Sequence, residues 1–417
     1  MTSTRIAELA VRIKENTFKV DEYMRCNGLP SPTFDEDGPV DFKIQSREIQ
    51  EARAIAIDST LELHQLLLGP ALCLRPVLNG TSLQAIYRYD IASKIPIHGE
   101  VSFKELAHKC GLDEIHLRRF LRFAMVWHRV FQEPRKGFVA HTAASRKLVE
   151  DPLARAGLGY MFDEVWQSFA QTLEAMDTFQ SDEPNKTGWN LSQHTEKPTW
   201  EYYASHPEMA NRFAASMSSF SDSIGASPSF LVQGYPWSSV GNGRGTVVDV
   251  GGSRGFQCVA IAQSFPDLHF VVQDLPDMID GAQNAVPTNV EARISFMEHD
   301  FFTEQPVSAD IYLFRIIFHN WSDANVIKIL KATVPAMQSG ARVVVNDYLI
   351  PEPGILPPIR EREVRAMDMI MLSLFNSRER EKEDWQSIFQ QADARFTNVN
   401  VWVPEGATLA IIEATLE

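Results

Sequence analysis

The hydrophobic pattern of the chain changes near residue 246. Before that point, apolar residues recur at helical spacing over residues 4–25 and again over 46–68, where Gly69-Pro70 stops a long apolar segment. After it, short runs rich in β-branched residues alternate with amphipathic segments. This alternation predicts an α/β protein with a doubly wound parallel sheet, preceded by a mostly helical region.

Residues 102–142 show a winged-helix pattern. A helix is predicted before Gly111, a second one from Asp113 to about Val126, and a hairpin after it. Winged helices often bind DNA through the second helix, and the basic residues that could serve are Arg118, Arg119, Arg122, Arg135 and Lys136. Arginines on the solvated face of a helix are the simpler interpretation. The apolar 46–68 segment fits equally a core helix and a helix that packs against a second subunit.

The stretch TVVDVGGSRGFQ, residues 246–257, predicts a buried strand, a glycine turn and the start of a helix. Gly251, Gly252 and Gly255 allow a sharp turn and the close approach of a ligand, because they carry no Cβ. The helix that follows offers unpaired N–H groups and the positive end of its dipole. The segment therefore predicts a small-molecule crevice at the carboxyl end of a strand.

Three ligand chemistries fit such a unit. A dinucleotide is disfavoured, because the glycines do not fall in the GxGxxG frame and Asp249 would repel a pyrophosphate. A nucleophile elbow at Ser253 matches GxSxG, but no oxyanion segment of the HGGG type is visible. S-adenosylmethionine carries positive charge that suits Asp249 and a ribose diol that suits Asp274, at the end of the next predicted strand. S-adenosylmethionine is therefore the predicted ligand.

The composition of the chain indicates how many domains it can form and in which cellular compartment it is expected. The chain has 417 residues, of which 44% are hydrophobic and 22% charged, enough for two domains. Its net charge of −15 disfavours nucleic acids and anionic membranes as partners. The 4 cysteines form no CxxC pair, and the N-terminal segment lacks the apolar core of a signal peptide. These features predict a cytoplasmic protein with no metal, no disulfide framework and no membrane span.

Methyl transfer to a hydroxyl needs aligned reactants and a base of near-neutral pKa. His319 follows the predicted strand DIYLFRIIF and is the candidate base. Asp347 ends the next predicted strand and Glu379 follows a helix. A carboxylate beside a histidine fixes its tautomer and stabilises the imidazolium. A purely structural histidine is the alternative, since nothing in the sequence requires these three side chains to meet.

From about Ser46 to its C-terminus the chain resembles the S-adenosylmethionine-dependent O-methyltransferases of the caffeic-acid type, above all their fungal secondary-metabolism branch. The matching segments are VVDVGGSRG, FPDLHFVVQDLP, HDFF, FRIIFHNWSD, RVVVNDYLIPEPG, MDMIMLSLFNSRERE and the winged-helix run FKELA…RRFLRFAM…GFVAHTAASR. The resemblance implies a Rossmann-like methyltransferase domain in residues 156–417. It also implies a helical, winged-helix domain in residues 1–155 that forms a homodimer, which weakens the DNA-binding interpretation further.

The resemblance also implies roles for individual residues. The cofactor site would comprise Asp249, Gly251, Gly252, Asp274, Leu275, Asp300, Phe301 and Arg315. His319 would be the catalytic base, flanked by Asp347 and Glu379. The acceptor would be lined by Phe213, Met217, Trp321, Met367, Met371 and His141. Core packing is the alternative for the methionines and aromatic residues, and a structural role is the alternative for His141.

Two positions depart from the family pattern. The usual HDW reads HNW, so that Asn320 removes a negative charge that could have raised the pKa of the histidine. The GGGxG form reads GGSRG. Some fungal proteins of this fold bind the cofactor yet catalyse dehydration or pericyclic ring closure, often with the base replaced. Because His319 is present, we predict methyl transfer to a phenolic or enolic hydroxyl of a small natural product.

Overall fold

The structure is a computed structural model that describes residues 4–73, 80–221 and 227–417. The chain forms two compact units. The first comprises Met1–Gln167, His206–Ser219 and Gly354–Glu361, and the second comprises Ser168–Ser205, Phe220–Pro353 and Arg362–Glu417. Compactness alone does not define a folding domain, so the border between residues 155 and 156 stays a prediction.

Helices account for most of the described residues before the large sheet and alternate with strands after it. The α-helices are α1 (Arg5–Cys26), α2 (Arg47–Leu68), α3 (Pro70–Cys73), α4 (Thr81–Arg88), α5 (Phe103–Cys110), α6 (Glu114–His128), α7 (Ala143–Glu150), α8 (Pro152–Tyr160), α9 (Trp166–Phe179), α10 (Gly188–Gln193), α11 (Thr199–Ala204), α12 (Pro207–Ser221), α13 (Pro228–Gly234), α14 (Phe256–Ser264), α15 (Pro276–Ile279), α16 (Asp323–Thr333), α17 (Pro358–Phe375) and α18 (Lys382–Ala392). The strands are β1 (Glu100–Ser102), β2 (Phe138–Ala140), β3 (Thr246–Val250), β4 (His269–Asp274), β5 (Ile294–Glu298), β6 (Ile311–Arg315), β7 (Arg342–Asp347), β8 (Phe396–Trp402) and β9 (Ala410–Leu416). Within the described ranges, no helix combines the length and the apolar character needed to cross a membrane.

The first unit contains the predicted helix, turn and helix, but the predicted hairpin after them is one strand, β2, with a single isolated bridge between Gln132 and Ala140. The hydroxyl of Ser102 caps α5 by accepting the N–H of Glu105, and Gly111 ends that helix in the left-handed conformation. Asp113 caps α6 in the same way. Strands β1 and β2 pair antiparallel. Apolar side chains of α5, α6 and the strands share one buried cluster, which holds these elements together.

The second unit is built on a seven-stranded sheet of order β5-β4-β3-β6-β7-β9-β8. Strands β3 to β7 are parallel, and β9 runs antiparallel to both of its neighbours. The valines of β3 are buried, as expected for a strand covered on both faces. The predicted doubly wound sheet is thus confirmed. Because β3 lies between β4 and β6, the chain reverses direction across the sheet at β3, where such folds form their crevice.

Three predicted elements differ from the structure. The strand DIYLFRIIF ends at Arg315, and Phe318–Asn320 is a 3-10 turn rather than strand. Residues 180–200 are rich in polar and turn-forming residues, which predict a linker, yet they contain α10 and the start of α11. Strand β8 was not predicted, because two adjacent polar residues, Thr397 and Asn398, break the alternation of FTNVNVW where its ladder is interrupted, between Thr397 and Asn400.

Candidate functional site

The glycine turn after β3 is packed against protein atoms on two sides. Gly251 has a φ of +75°, and a Cβ there would lie 2.6 Å from Cδ1 of Ile317. A Cβ at Gly252 would lie 2.6 Å from Cγ of Asp249. The N–H groups of both glycines donate to the carbonyl of Gln273 in β4. A side chain at either position would therefore displace a neighbouring residue even before a ligand is considered.

Asp249 lies near the end of β3 and is 2% exposed. Its Oδ2 accepts a hydrogen bond from Sγ of Cys258 at 3.1 Å. Burial raises the pKa of Asp249 to about 6, although the thiol of Cys258 and the guanidinium of Arg315 act against that rise. The carboxylate is therefore mostly ionised at neutral pH, and its charge suits a cationic ligand.

Asp274 ends β4 and joins the glycine turn to the neighbouring strands. Its Oδ2 accepts the N–H of Ser253 at 2.9 Å, and its Oδ1 accepts the N–H of Leu275 at 2.8 Å. Burial raises the pKa of Asp274, and these two backbone donors oppose the rise. The Asp274 carbonyl accepts the N–H of His299, the residue before Asp300. The positions predicted to bind ribose and adenine thus lie at the same end of the sheet.

The remaining cofactor candidates lie at this edge as well. Leu275 is 46% exposed. Asp300 is exposed, and its Oδ1 accepts the N–H of Phe302 at 3.0 Å. Phe301 is half-buried, with its ring edge-on to Trp321 at a centroid distance of 5.8 Å. Solvent-accessible apolar groups and a carboxylate therefore occur together here.

Arg315 ends β6, next to β3 in the sheet. Burial lowers the pKa of Arg315, while the nearby negative charges of Asp249 and Asp347 oppose this change. A guanidinium stays protonated despite such a shift. Arg315 therefore places a positive charge that acts on two carboxylates, that of Asp249 in β3 and that of Asp347 at the end of β7.

His319 and Glu379 form a buried hydrogen-bonded pair. The two side chains are 4% and 3% exposed as residues, and Nδ1 of the histidine lies 2.9 Å from Oε1 of Glu379. Burial alone would lower the pKa of His319, but the carboxylates of Glu379 and Asp347 outweigh it and raise that pKa above its ordinary value. Nε2 has no hydrogen bond to any residue in the described part of the chain. With Nδ1–H directed at the carboxylate, Nε2 carries the lone pair of a general base.

Asp347 contacts the main chain of His319 rather than its ring. Oδ2 accepts the backbone N–H of His319 at 3.2 Å. Burial raises the pKa of Asp347 to about 6, and His319 acts against that rise. The predicted trio therefore does meet, but Glu379 alone can fix the tautomer of the base. Among the described residues, no three His, Cys, Asp or Glu side chains are grouped so as to hold a metal ion.

Asn320 supports the backbone before the histidine. Its Nδ2 donates to the carbonyl of Ile316 at 3.2 Å. Ile316 has a φ of +56°, a left-handed conformation that is strained for a β-branched residue. The acid that the family usually carries here could not donate this hydrogen bond. The pKa of His319 is raised without that acid, so the substitution does not remove the basicity that the sequence put in doubt.

Replacing Asn320 with aspartate should destabilise the turn and make the base harder to deprotonate. We expect the free energy of unfolding to fall by about 1 kcal/mol, because one donor is lost and a carboxylate faces a carbonyl. The added negative charge should raise the pKa of His319, moving the acid limb of the pH–rate profile upward. Denaturant unfolding and kcat against pH would measure both effects. Asn320→Ala is the control, since it should lose stability without moving the acid limb; an Asn320→Asp variant as stable as the parent would contradict the assignment.

The acceptor candidates fall in both units. In the first unit Phe213 is half-buried and packs edge-on against Tyr160, with Met217 half-buried one turn further along α12. In the second unit Trp321 and Met367 are half-buried, whereas Met371 is only 4% exposed. The burial of Met371 is that of a core residue, which was its alternative interpretation.

His141 has the structural role that was its alternative interpretation. It is fully buried, with Nδ1 at 2.9 Å from Oγ of Ser145 and Nε2 at 3.1 Å from the carbonyl of Ile95. Both ring nitrogens are therefore engaged within the protein. Contact with an acceptor was the wrong expectation for this residue, because the ring offers no accessible polar atom.

Three of the four arginines considered for DNA binding, Arg118, Arg122 and Arg135, are paired with glutamates. Arg122 makes two hydrogen bonds of 2.8 Å to Glu133. Arg118 pairs with Glu114 one turn earlier on α6, and the remaining pair joins the hairpin to β1 through Arg135 and Glu100. Their positive charge is thus neutralised locally, which disfavours phosphate contacts.

Sequence reasoning missed several residues that contact the site. Cys258 donates to Asp249, and nothing distinguishes it in the sequence from a buried helix residue. Tyr348 stacks on His319 with 6.1 Å between ring centroids. Arg380, next to Glu379, donates to the turn that carries His319. The contacts of Glu379 and Arg380 with the His319 turn span about 60 residues, so local sequence pattern does not reveal them. That Arg380 directly follows the predicted site residue Glu379 was the one sequence feature that could have indicated it.

Comparison with known proteins gives this site a family. A family model described as an O-methyltransferase domain matches residues 176–395. The grayanic acid biosynthesis cluster O-methyltransferase of Cladonia grayi is 52% identical over 413 residues, covering 99% of this chain and 88% of that protein. The O-methyltransferase pyvH of Aspergillus violaceofuscus is 52% identical over 425 residues, covering both chains completely.

The fold is also shared with solved structures. OxaC in complex with SAH and oxaline superimposes with a TM-score of 0.74 at 23% identity, covering 98% of this chain and 100% of that one. At this identity the likeness concerns the fold alone. The family is assigned from the family model, which matches more than half of the chain, and from the 52% identity to two fungal O-methyltransferases over nearly the whole chain. This chain is an enzyme that belongs to the O-methyltransferase family.

Proposed function

We propose that this enzyme uses S-adenosylmethionine to methylate a phenolic or enolic hydroxyl of a small natural product, with His319 as general base. The observation that carries the proposal is the 2.9 Å contact between Nδ1 of His319 and Glu379, which leaves Nε2 free of protein hydrogen bonds among the described residues. Asp249 lies one residue before the end of β3, and Asp274 ends the neighbouring parallel strand β4. The candidate base and the candidate cofactor residues therefore lie at the carboxyl ends of parallel strands in one sheet.

The residues of the chain account for the proton. The acceptor hydroxyl gives its proton to Nε2 of His319 as its oxygen becomes the nucleophile. Glu379 accepts the Nδ1–H and stabilises the imidazolium that forms, while Asp347 holds the histidine main chain. When bound, S-adenosylmethionine supplies the methyl group on a sulfonium sulfur.

The chemistry of the crevice fits that cofactor. Asp249 and Asp274 are carboxylates at the strand ends, where a pyrophosphate would meet repulsion and a sulfonium, an ammonium or a ribose diol would not. Gly251 and Gly252 would face the methionine end, with Leu275, Asp300 and Phe301 toward the adenine and Arg315 nearby. The SAH named in the OxaC complex is a related ligand on the same fold.

The presence of the base favours methyl transfer over dehydration or ring closure. His319 is buried, paired with a carboxylate and raised in pKa, which are the properties of a working base. A biosynthetic-cluster enzyme of Cladonia grayi at 52% identity supports a natural product as acceptor. Trp321 and Met367 in the second unit are proposed to contact it, and Phe213 and Met217 in the first unit stay candidates for acceptor contact.

The test is transfer of a labelled methyl group. The purified chain would be incubated with methyl-labelled S-adenosylmethionine and a panel of small phenols and enols, and extracts would be counted and identified. We expect label in the organic product, at an oxygen. An acceptor that rearranges while the label stays on the cofactor would favour the non-methylating alternative. Failure of S-adenosylmethionine to bind in calorimetry would overturn the cofactor as well.

We also infer that the chain forms a homodimer through its N-terminal helices. On α1, Val11 is 55% exposed and Phe18 is 61% exposed, and their spacing of seven residues places them on one face. Large apolar groups exposed in this way favour burial against a partner. A second copy is the partner that the symmetry of most oligomers favours.

Changing both residues to glutamate should dissociate this dimer. Charges that lose water in an apolar interface are costly, so we expect the dissociation constant to rise by about 100-fold or more. Sedimentation velocity over a concentration series measures it. Lys19→Glu adds negative charge to the same helix without removing an apolar group and should leave the dimer intact. A parent protein that sediments as a monomer would contradict the inference.

A further inference from the structure

Ser377 and Arg380 hold the turn that carries His319. Arg380 is 1% exposed, and its Nη1 donates to the carbonyl of Phe318 at 2.9 Å. Its Nη2 donates to the carbonyl of Trp321 at 2.7 Å, which also accepts the hydroxyl of Ser377 at 2.8 Å. The main chain is thus fixed on both sides of the histidine.

The guanidinium is itself held in place. Its Nε donates to Oδ1 of Asp323 at 2.9 Å, and its Cζ lies 5.3 Å from the ring centre of Trp385. Three acceptors in different directions match the fork of an arginine. A lysine ammonium, a point charge on a flexible stem, cannot reach all three at once.

The turn needs external support because its backbone is strained. Ile316 has a left-handed φ of +56°, which a β-branched residue rarely adopts. Such a conformation persists only where surrounding contacts determine it. Arg380 supplies the buried hydrogen bonds that end this turn, so releasing it should let the histidine shift.

We propose that Arg380 is a positioning residue, which fixes the Phe318–Trp321 turn so that His319 presents Nε2 in a single orientation. The inference rests on the proposed function, since it concerns the base of that reaction. Glu379 sets the ring tautomer, and the next residue in the chain sets the main chain from which the ring extends. Orientation matters because misplacing a reacting group by about 1 Å can cost about 100-fold in rate.

The charge of Arg380 gives a second, separable signature. His319 is faced by the carboxylates of Glu379 and Asp347, by the guanidinium of Arg380 and by the phenol of Tyr348. The guanidinium opposes the upward effect of the two carboxylates on the pKa of the histidine. Removing the cation should therefore raise that pKa, whereas keeping a cation of different shape should not.

The experiment compares Arg380→Lys and Arg380→Gln with matched changes at Arg378. Arg378 donates to Asp323 at 2.8 Å and to Asp384 at 2.9 Å, yet it is about half exposed and, in the described part of the chain, makes no hydrogen bond to the Phe318–Trp321 turn. We expect Arg380→Lys to lower kcat by about 10- to 100-fold with the KM for S-adenosylmethionine within about twofold. Its acid limb should stay in place, whereas that of Arg380→Gln should move to higher pH. Both Arg378 variants should stay within about twofold of the parent.

A parent-like kcat in Arg380→Lys would overturn the inference while leaving the proposed function intact; a parent enzyme that transfers no methyl group would instead overturn the proposed function. If the Arg380 variants do not fold, Asp323→Asn and Asp384→Asn decide. The first loosens both arginines, whereas the second loosens Arg378 and the cap of α18 at Glu381 but leaves the contacts of Arg380 in place. We expect kcat to fall in Asp323→Asn but not in Asp384→Asn. Equal kcat values in the two variants would overturn the inference.

Discussion

Replacing His319 with alanine is expected to lower kcat for methyl transfer by about 10²- to 10⁴-fold, the usual contribution of a positioned general base. The ring is buried and its Nδ1 is held by Glu379 at 2.9 Å, so Nε2 is the ring atom that would take the proton. Affinity for S-adenosylmethionine should change little, since the cofactor candidates at the ends of β3 and β4 keep their contacts. Initial rates with saturating acceptor, together with cofactor calorimetry, make the measurement.

The pH profile gives an internal check on the same variant. A base must be neutral to act, so the parent rate should rise with pH through the pKa of His319, which lies above its ordinary value because of Glu379 and Asp347. That limb should vanish in the alanine variant. His269→Ala, at the exposed start of β4 on the opposite edge of the sheet, is the control and should keep both rate and profile. A near-parental rate without the imidazole would show that the acceptor reaches the enzyme already ionised.

The parts of this site that local pattern determines were predictable. The run of Val247 to Val250 and the glycines after it specify a buried strand and a sharp turn, because side-chain period and backbone sterics act over a few residues. The roles of Asp249 and Asp274 could also be predicted, because the carboxyl ends of parallel strands lie at the same end of a sheet. The alternation of strands and helices gave the doubly wound fold for the same reason.

The parts that depend on distant residues were not predictable from pattern. His319 and Glu379 are separated by 60 positions, and the sequence alone did not require their contact. The strand before His319 ends early because Ile316 is forced into a left-handed conformation, against the β preference of the run FRIIF. Strand β8 lies at the edge of the sheet, and its residues do not alternate regularly between apolar and polar where its pairing with β9 is interrupted. In each case tertiary contacts outweighed local propensity.

Replacing Asp274 with asparagine is expected to weaken S-adenosylmethionine binding by about 100-fold, as a charge-assisted hydrogen bond contributes about 1.5–3 kcal/mol. The carboxylate accepts the N–H groups of Ser253 and Leu275, one on each oxygen. An amide can accept only at one of those positions, so its NH₂ would face a backbone donor. The glycine turn should loosen as the ribose contact weakens, and both effects lower affinity.

Calorimetry with S-adenosylmethionine and with its demethylated product separates ribose binding from charge recognition. Both ligands carry the same ribose, so Asp274→Asn should weaken the two by similar factors, whereas loss of attraction for the sulfonium would weaken S-adenosylmethionine alone. Asp277→Asn removes an exposed carboxylate three positions later and serves as the control. Unchanged affinity in Asp274→Asn would place the ribose elsewhere. A newly gained affinity for a dinucleotide in that variant would instead show that carboxylate charge is what keeps phosphates out of this crevice.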